Sequence, residues 1–418
     1  MKINNIIKKR SFLWSTLLCI LVTNYSRAQT PVERHGQLKV SGNRILDKNN
    51  NPVVLRGMSL FWSQWIGKYY NFNTVKWLRD DWCSNVIRAS MAVDQGGYAT
   101  RPSEKEKIIA VVDAAIELGI YVIIDFHIHD APLYQSHSKT FFDEMSLKYK
   151  DNPNVLYEIW NEPLNVSWPD VIKPYSENII EVIRANDPDN IIICGTRNWS
   201  QRVDEAAIDP IQRPNIAYTL HFYAATHRQT YRNYITTAMN RGIAVFVTEY
   251  GTCAADGNGD IDETETKTWW DFMERNFISY CNWSVADKVE TSAVLKPRAS
   301  VNGGWSTNEL TLSGNLVRNH LRSLCSLTFP GGGTVNGIDE SLESTNRRFI
   351  PNPFESSTTL ISNSEFKYSV SDLYGVIHLS GHGKGSLSLG ENMYPGIYFV
   401  KIIEQNKETI LKIRKGLF

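Results

Sequence analysis

The chain has 418 residues and a mass of 47.6 kDa, with 42% hydrophobic and 21% charged residues. Those proportions belong to a folded protein with a sizeable core and exclude a disordered, collagen-like or membrane-bundle chain. Lys+Arg and Asp+Glu both total 44, so no positive field points to nucleic acid, while 12 Trp, 19 Tyr and 16 Phe are more flat amphipathic rings than a core consumes, and a sugar-binding cleft is one place that uses them.

In chain order, Lys2, Lys8, Lys9 and Arg10 precede a mostly apolar stretch over Ser11–Thr23, and Ser26-Arg27-Ala28 offers small residues to a signal peptidase. Residues 1–28 therefore read as a signal peptide cleaved before Gln29. The apolar run has 13 residues, short of the ~20 that a spanning helix needs. No later segment is long and apolar enough either, so the mature chain is expected to be exported with no membrane span. Five cysteines follow the signal: Cys83, Cys194, Cys253, Cys281 and Cys325. Their odd number forbids full pairing and their spacing matches no metal motif, so small buried hydrophobes are expected, with room for one disulfide of unassigned pairing.

Eight short β-branched runs then alternate with stretches of helical periodicity. They are Val53–Ser59, Asn85–Ser90, Tyr121–His127, Val155–Pro163, Asn190–Thr196, Ile216–Ala224, Ala244–Gly251 and Ile278–Asp287. Most are continuous apolar runs, as parallel strands buried on both faces require. Between them, Ser103–Leu118 repeats apolar residues at a 3/4 spacing and stops at Gly119. Eight strands alternating with helices predict a (β/α)8 TIM barrel over 29–325. A doubly wound sheet would want a glycine-rich phosphate loop after its first strand, and Arg56-Gly57-Met58-Ser59 is not one. Residues 326–345, with Pro330-Gly331-Gly332-Gly333, read as a linker, and 346–418 as a small all-β, sandwich-like module with strands at Phe366–Val370, Val376–Ser380, Gly396–Ile403 and Thr409–Arg414.

Polar residues crowd the C-terminal strand ends: Arg88, Asp125 and His127, Asn161-Glu162, His221 and Tyr223, Glu249, Trp283. In a barrel that rim carries the active site. Two carboxylates on different strands of it, Glu162 and Glu249, suit glycoside hydrolysis, in which one donates a proton to the leaving oxygen and the other attacks the anomeric carbon. For a retaining enzyme the two carboxyl groups should lie ~5–5.5 Å apart.

These segments resemble glycoside hydrolase family five, within it the bacterial endoglucanase subgroup. The likeness runs from Gly36 to Leu324, through Leu55-Arg-Gly-Met-Ser59, Asn85-Val-Ile-Arg-Ala89, Val122-Ile-Ile-Asp-Phe-His127, Asn161-Glu-Pro163, His221-Phe-Tyr-Ala224, Phe246-Val-Thr-Glu-Tyr-Gly-Thr252 and Asn282-Trp-Ser-Val-Ala-Asp-Lys288. The resemblance implies Glu162 as acid/base and Glu249 as nucleophile, with Arg88 and Tyr223 holding Glu249. It implies Asn161 on the sugar 2-hydroxyl, His127 and His221 around the cleavage point, Trp283 as an apolar floor, Trp65 as a stacking ring, and Lys288 and Glu290 on glucose hydroxyls further along. The implied activity is endo-β-1,4-glucanase on cellulose-like chains, without cofactor or metal. β-Mannanase, lichenase and xyloglucanase share the catalytic pair, and a non-catalytic glycan-binding barrel is the alternative of a different class. The chain departs from many members at Leu60-Phe61-Trp62, near Ala92 and at Phe126.

Two further patterns are weaker. His127-Ile-His129, with His221 and Asp287, mimics a metal-dependent amidohydrolase, but on strand three rather than strand one. Asp256-Gly-Asn-Gly-Asp260-Ile-Asp262 looks like a calcium loop but has Ile261 and Lys267 where an EF-hand needs Gly and Glu. Asp262-Glu-Thr-Glu265 reads better as a capping box. In the tail, Phe349-Ile-Pro-Asn-Pro-Phe354, Asp372-Leu-Tyr-Gly375, Pro395-Gly-Ile-Tyr-Phe-Val400 and Lys412-Ile-Arg-Lys415 resemble the C-terminal sorting domain of type IX secretion, which implies that machinery as a partner. The rival is a carbohydrate-binding β-sandwich with Tyr374, Tyr394 and Tyr398 as its platform.

Overall fold

The computed structural model describes residues 29–329, 356–372, 376–390, 393, 396–404 and 407–416. The expected signal peptide, most of the expected linker, Phe349–Phe354, Tyr374 and Tyr394 lie outside the described residues. Eight parallel strands close on themselves: β1 (Arg56–Leu60), β2 (Val86–Ala92), β3 (Tyr121–His127), β4 (Val155–Glu158), β5 (Ile192–Cys194), β6 (Ile216–Thr219), β7 (Ala244–Gly251) and β8 (Ser279–Val285). Each pairs with the next, and β8 pairs with β1 from Tyr280↔Arg56 to Val285↔Leu60, which closes the ring. Helices follow the strands: α1 (Phe72–Asp80), α2 (Lys105–Leu118), α3 (Gln135–Tyr149), α4 (Lys173–Asn186), α5 (Val203–Ala206), α6 (Gln229–Asn240), α7 (Glu263–Arg275) and α8 (Leu312–Ser323), with a further short turn of helix, Arg197–Ser200, before α5. This is the TIM barrel that the alternation of runs predicts.

The apolar runs conceal an alternation that positions the site. Along β3, Val122, Ile124 and Phe126 join the large cluster shared with the helices, whereas Tyr121 and Ile123 join a separate cluster inside the barrel. The same inner set takes Val86, Leu156, Ile193, Ala217, Phe246 and Cys281, one or two from every strand but β1, beside which Leu55 fills the place. It also takes Leu38, Ile45 and Val53 from a small antiparallel hairpin, Lys39–Ser41 with Arg44–Leu46, that caps the N-terminal end of the barrel. Two residues further along the strands, the inward register passes to Arg88, Asp125 and Glu158. A dry plug at one end and polar side chains at the other fix which mouth can hold a site.

The helix over Lys105–Leu118 ends where Gly119 turns left-handed (φ 68°), its N–H returning to Ala115 and Ile116; its first turn, Pro102–Glu104, is a 3₁₀ turn. Asp262 caps α7 by accepting from the Glu265 N–H at 2.9 Å. The reciprocal half of the expected capping box does not form: the Glu265 carboxylate turns to Arg228 and Arg232, and the Asp262 N–H donates to Thr252 instead. Cys83, just before β2, forms a disulfide with Cys325, just after α8, while Cys194, Cys253 and Cys281 are free and buried.

Past the barrel, a short helix (Cys325–Thr328) occupies the start of the expected linker. The C-terminal module is one antiparallel sheet of β9 (Thr358–Asp372), β10 (Ile377–Leu389), β11 (Gly396–Glu404) and β12 (Lys407–Lys415), in the order β10-β9-β11-β12. Leu360, Phe366, Val370, Val400, Ile402 and Ile413 form its core. Tyr398 is buried in that core, so it cannot serve as the exposed sugar platform that the glycan-binding alternative needs. No helix among the described residues is long and apolar enough to cross a membrane.

Candidate active site

Arg88 is the hub of the polar layer. Fully buried, it donates from Nε to Glu158 (2.7 Å), from Nη1 to Glu249 (2.8 Å) and from Nη2 to Asn161 (2.6 Å), and lies 3.0 Å from Asp125. Burial works against its charge, but Asp125, Glu158 and Glu249 more than offset that and hold the guanidinium well above its usual range. Three carboxyl groups around one cation cannot all be ionised cheaply. Burial, with Glu158 and Glu249 beside it and Arg88 opposing, pushes Asp125 well above the carboxylate range, and its Oδ2 lies 2.6 Å from His127 Nδ1. Burial likewise drives His127 well below its usual value, with Arg88 adding to the effect, and leaves its ring neutral.

Glu249, on β7, accepts from Arg88 on Oε2 and from the Tyr223 hydroxyl on Oε1 at 2.9 Å. Tyr223 comes from a two-residue strand, Phe222–Tyr223, that pairs with the end of β7. Its ring lies where a Cβ on Gly251 would be, 2.2 Å from Cδ1, so only glycine there lets the ring reach Glu249. Glu162 follows β4 on irregular backbone held to the neighbouring loop: Asn161 N–H donates to Phe126 and Glu162 N–H to Ile128. Glu162 accepts from His221 Nδ1 at 2.9 Å and His129 Nε2 at 3.2 Å. Oxygens of Glu162 and Glu249 and a ring nitrogen of His221 all lie within 4.8 Å of one another. Two carboxyl groups this close suit the short spacing of about 5–5.5 Å that a retaining glycosidase uses.

Hydrogen-bond direction fixes one tautomer. The Thr248 hydroxyl donates to Glu158 at 2.7 Å, so His221 Nε2, 2.9 Å from the same oxygen, must be the donor to it. Nδ1 is then free to give a proton to Glu162 or to take one from it. Against burial, bonds to Glu158 and Glu162 push His221 up to about 9. Against burial again, the two imidazoles hold Glu162 at about 2, while burial raises Glu249 above its ordinary value. The two shifts favour imidazolium beside carboxylate, with one hydrogen bond between each imidazole and Glu162.

The remaining expected residues line the mouth. Trp283 is buried and stacks on His127 with centroids 5.2 Å apart and planes 5° from parallel. Trp65 is half exposed, 52%, beside Trp62 at 5.2 Å. Lys288 bonds Glu290 and lies over the Phe61 ring at 5.3 Å, and Ser292 also bonds Glu290. At the departure Leu60-Phe61-Trp62, Phe61 packs on Trp283 and Trp62 stands edge-on to His127 at 4.2 Å.

Three neighbours went unread in the sequence as parts of the site. Glu158 is the buried counter-charge of Arg88, and nothing in a strand interior distinguishes it from an ordinary ion-pair partner. His129 belongs to a different partner from His127, which splits the apparent metal pair. Trp199, 45% exposed, sits after β5 on a stretch in which Asn198, Trp199 and Ser200 are all left-handed, and its N–H donates to Pro163 beside Glu162. Among the described residues, Glu162, His221 and Glu249 are the donors that converge as a metal site would require. Each is already engaged by Arg88, Tyr223, Thr248 or a second imidazole, a donor set that fits a proton-sharing carboxyl pair better than a cation.

Comparison with known proteins gives a consistent result. Residues 46–289 match the family model of cellulase (glycosyl hydrolase family 5). Endoglucanase A of Evansella cellulosilytica is 48% identical over 323 residues, 76% of this chain and 66% of that protein. Endoglucanase N of Pectobacterium atrosepticum is 44% identical over 338 residues, 80% of this chain and 76% of that protein. A solved structure from Cytophaga hutchinsonii is 53% identical with a TM-score of 0.71, covering 72% of this chain and 98% of its own. The catalytic domain of a Thermobifida fusca endoglucanase, solved in complex with cellotetraose, is 38% identical with a TM-score of 0.68, covering 70% of this chain and all of its own.

Proposed function

Because the chain belongs to the cellulase family, glycosyl hydrolase family 5, and is therefore a glycoside hydrolase, we propose that it is a retaining endo-β-1,4-glucanase with Glu249 as nucleophile and Glu162 as acid/base. The observation that carries the reading is the Glu162–Glu249 approach, with oxygens within 4.8 Å. In the first step Glu249 attacks the anomeric carbon while Glu162 gives its proton to the departing oxygen. In the second, Glu162 takes a proton from water, the water oxygen bonds the anomeric carbon, and Glu249 leaves as carboxylate. Arg88 and the Tyr223 hydroxyl stabilise the charge on Glu249 that each cycle restores. Asn161, anchored to Arg88, is the proposed partner of the 2-hydroxyl, and His127 and His221 flank the cleavage point. Trp283 supplies the floor, Trp65 a stacking face, and Lys288 with Glu290 the hydroxyl contacts of a more distant glucose. Trp199, exposed beside Pro163, is the proposed stacking face on the leaving-group side.

The test assays sugar release by the full chain and by Glu249→Gln on soluble β-1,4-glucan, mannan, xylan and mixed-linkage glucan. The expected result is activity strongest on β-1,4-glucan and lost by at least about a thousandfold in the variant. A preference for mannan would overturn the assignment of Lys288 and Glu290, and binding without turnover would make the chain a glycan-binding barrel.

We further propose the organisation 1–28 signal peptide, 29–325 catalytic domain, 326–345 linker and 346–418 sorting domain for type IX secretion, and hence an extracellular or cell-surface enzyme. The tail motifs and the all-antiparallel character of the C-terminal sheet support it. Fractionating the native host should find the enzyme outside the cell, and removal of 346–418 should leave it in the periplasm; export that survives the deletion would contradict the assignment.

A further inference from the structure

Glu162 has an imidazole on each oxygen, and the two are differently placed. His221 is buried and its other nitrogen is committed to Thr248. His129 comes from the loop after β3, its backbone carbonyl accepts the Trp160 indole N–H at 3.0 Å, and the Trp62 ring lies edge-on to it at 5.9 Å. Its ring is therefore fixed on Glu162, yet its side chain is 42% exposed. It therefore meets solvent directly, beside a Glu162 side chain that is itself 14% exposed.

We propose that His129 is a positioning residue that shares the acid proton of Glu162 with His221 and thereby extends the alkaline limb of the first chemical step. The proposal rests on Glu162 being the acid/base.

One proton lies on the line from His129 Nε2 to Glu162 Oε2. With the proton on Nε2 the pair is imidazolium and carboxylate; with it on Oε2, Glu162 is an acid and Nε2 accepts. Both arrangements carry the same number of protons, so the pair stays competent until that proton is lost to solvent. When the glycosidic bond breaks, the proton leaves with the departing alcohol and the pair is left as neutral imidazole and carboxylate. When water attacks the glycosyl-enzyme, its proton returns to the pair as its oxygen bonds the anomeric carbon. The hydrogen bond to Glu162 raises His129 against the effect of burial, with Glu162, Glu249 and Asp94 as nearby negative charges. The other groups facing Glu162 are His221, Glu249, Tyr223 and His227. His127, which also faces His129, is neutral through burial, and burial with only a weak opposing effect from Glu162 takes His227 down to about 4, so neither adds positive charge near neutral pH. Removing His129 leaves Glu162 to hold its proton with His221 alone.

The test measures kcat/KM against pH for the wild type, His129→Gln and His129→Leu on two aryl β-cellobiosides. Phenyl is a leaving group that needs the proton, and 2,4-dinitrophenyl is one that does not. The expected result is an alkaline limb displaced by about one pH unit toward acid in both variants with the phenyl substrate, and no displacement with the dinitrophenyl substrate. A limb that stays put, that moves equally with both leaving groups, or that is restored by Gln would overturn the proposal. The last would reduce His129 to a plain hydrogen-bond donor. A Glu162→Gln control separates the two layers: it should lose the phenyl substrate and keep most of its activity on the dinitrophenyl one. If it loses both alike, the acid/base assignment fails, and the proposal with it.

Discussion

At the scale of the residue, the site is a problem of charge placement. Arg88 faces three carboxyl groups, and burial raises Asp125 above the carboxylate range while the guanidinium bonds Glu158 and Glu249. Glu249 is then aimed by two donors, Arg88 and Tyr223, and the second depends on a missing side chain. In Gly251→Ala the new Cβ would sit 2.2 Å from the Tyr223 ring, which must swing away from Glu249. The variant should fold, because Gly251 lies at the end of β7, and should lose kcat by about tenfold to a hundredfold with little change in KM. Steady-state kinetics on a soluble β-1,4-glucan check this; a wild-type kcat would mean that Tyr223 does not aim the nucleophile.

At the scale of the element, strands and helices were largely legible in the sequence and loop contacts were not. Continuous β-branched runs locate all eight strands because both faces are buried, and the strand ends bring out Arg88, Asp125, His127 and Glu249. The same runs hide the inward and outward alternation, since apolar residues face both the inner plug and the helices. The strand before the acidic pair stops short of expectation: β4 ends at Glu158, and Asn161 and Glu162 lie on irregular backbone. Trp199 and His129 were beyond reach because their roles come from loops that meet only in the closed barrel. The Cys83–Cys325 pairing is of that kind too, with 242 residues between the partners. It staples the approach to β2 to the end of α8, the seam where the barrel's first and last units meet. Closing so long a loop restricts the unfolded chain, so Cys83→Ser with Cys325→Ser should cost about 3–5 kcal/mol and lower the melting temperature by about ten degrees. A melting curve that coincides with the wild type would show that packing of α8 alone holds the seam.

At the scale of the whole molecule, the barrel separates stability from chemistry along its axis. One end is closed by the Lys39–Leu46 hairpin and an apolar plug; the other spends its burial on Arg88, Asp125, Glu158 and their partners. A polar layer this dense is costly unless its groups are bonded; here Asp125 Oδ1 has no hydrogen-bond partner among the described residues, but bonds run in sequence from Glu162 through His221, Thr248, Glu158 and Arg88 to Glu249. The two carboxyl groups are thus parts of one network rather than two independent acids. The central claim is that Glu249 forms a covalent bond to the sugar. It is tested by incubating the full chain with 2,4-dinitrophenyl 2-deoxy-2-fluoro-β-cellobioside, whose fluorine slows both steps while its leaving group sustains the first. Mass spectrometry should find one glycosyl unit added per chain, and peptide mapping should place it on Glu249. Attachment to any other residue, or turnover without an adduct and with inverted anomeric configuration, would contradict the account.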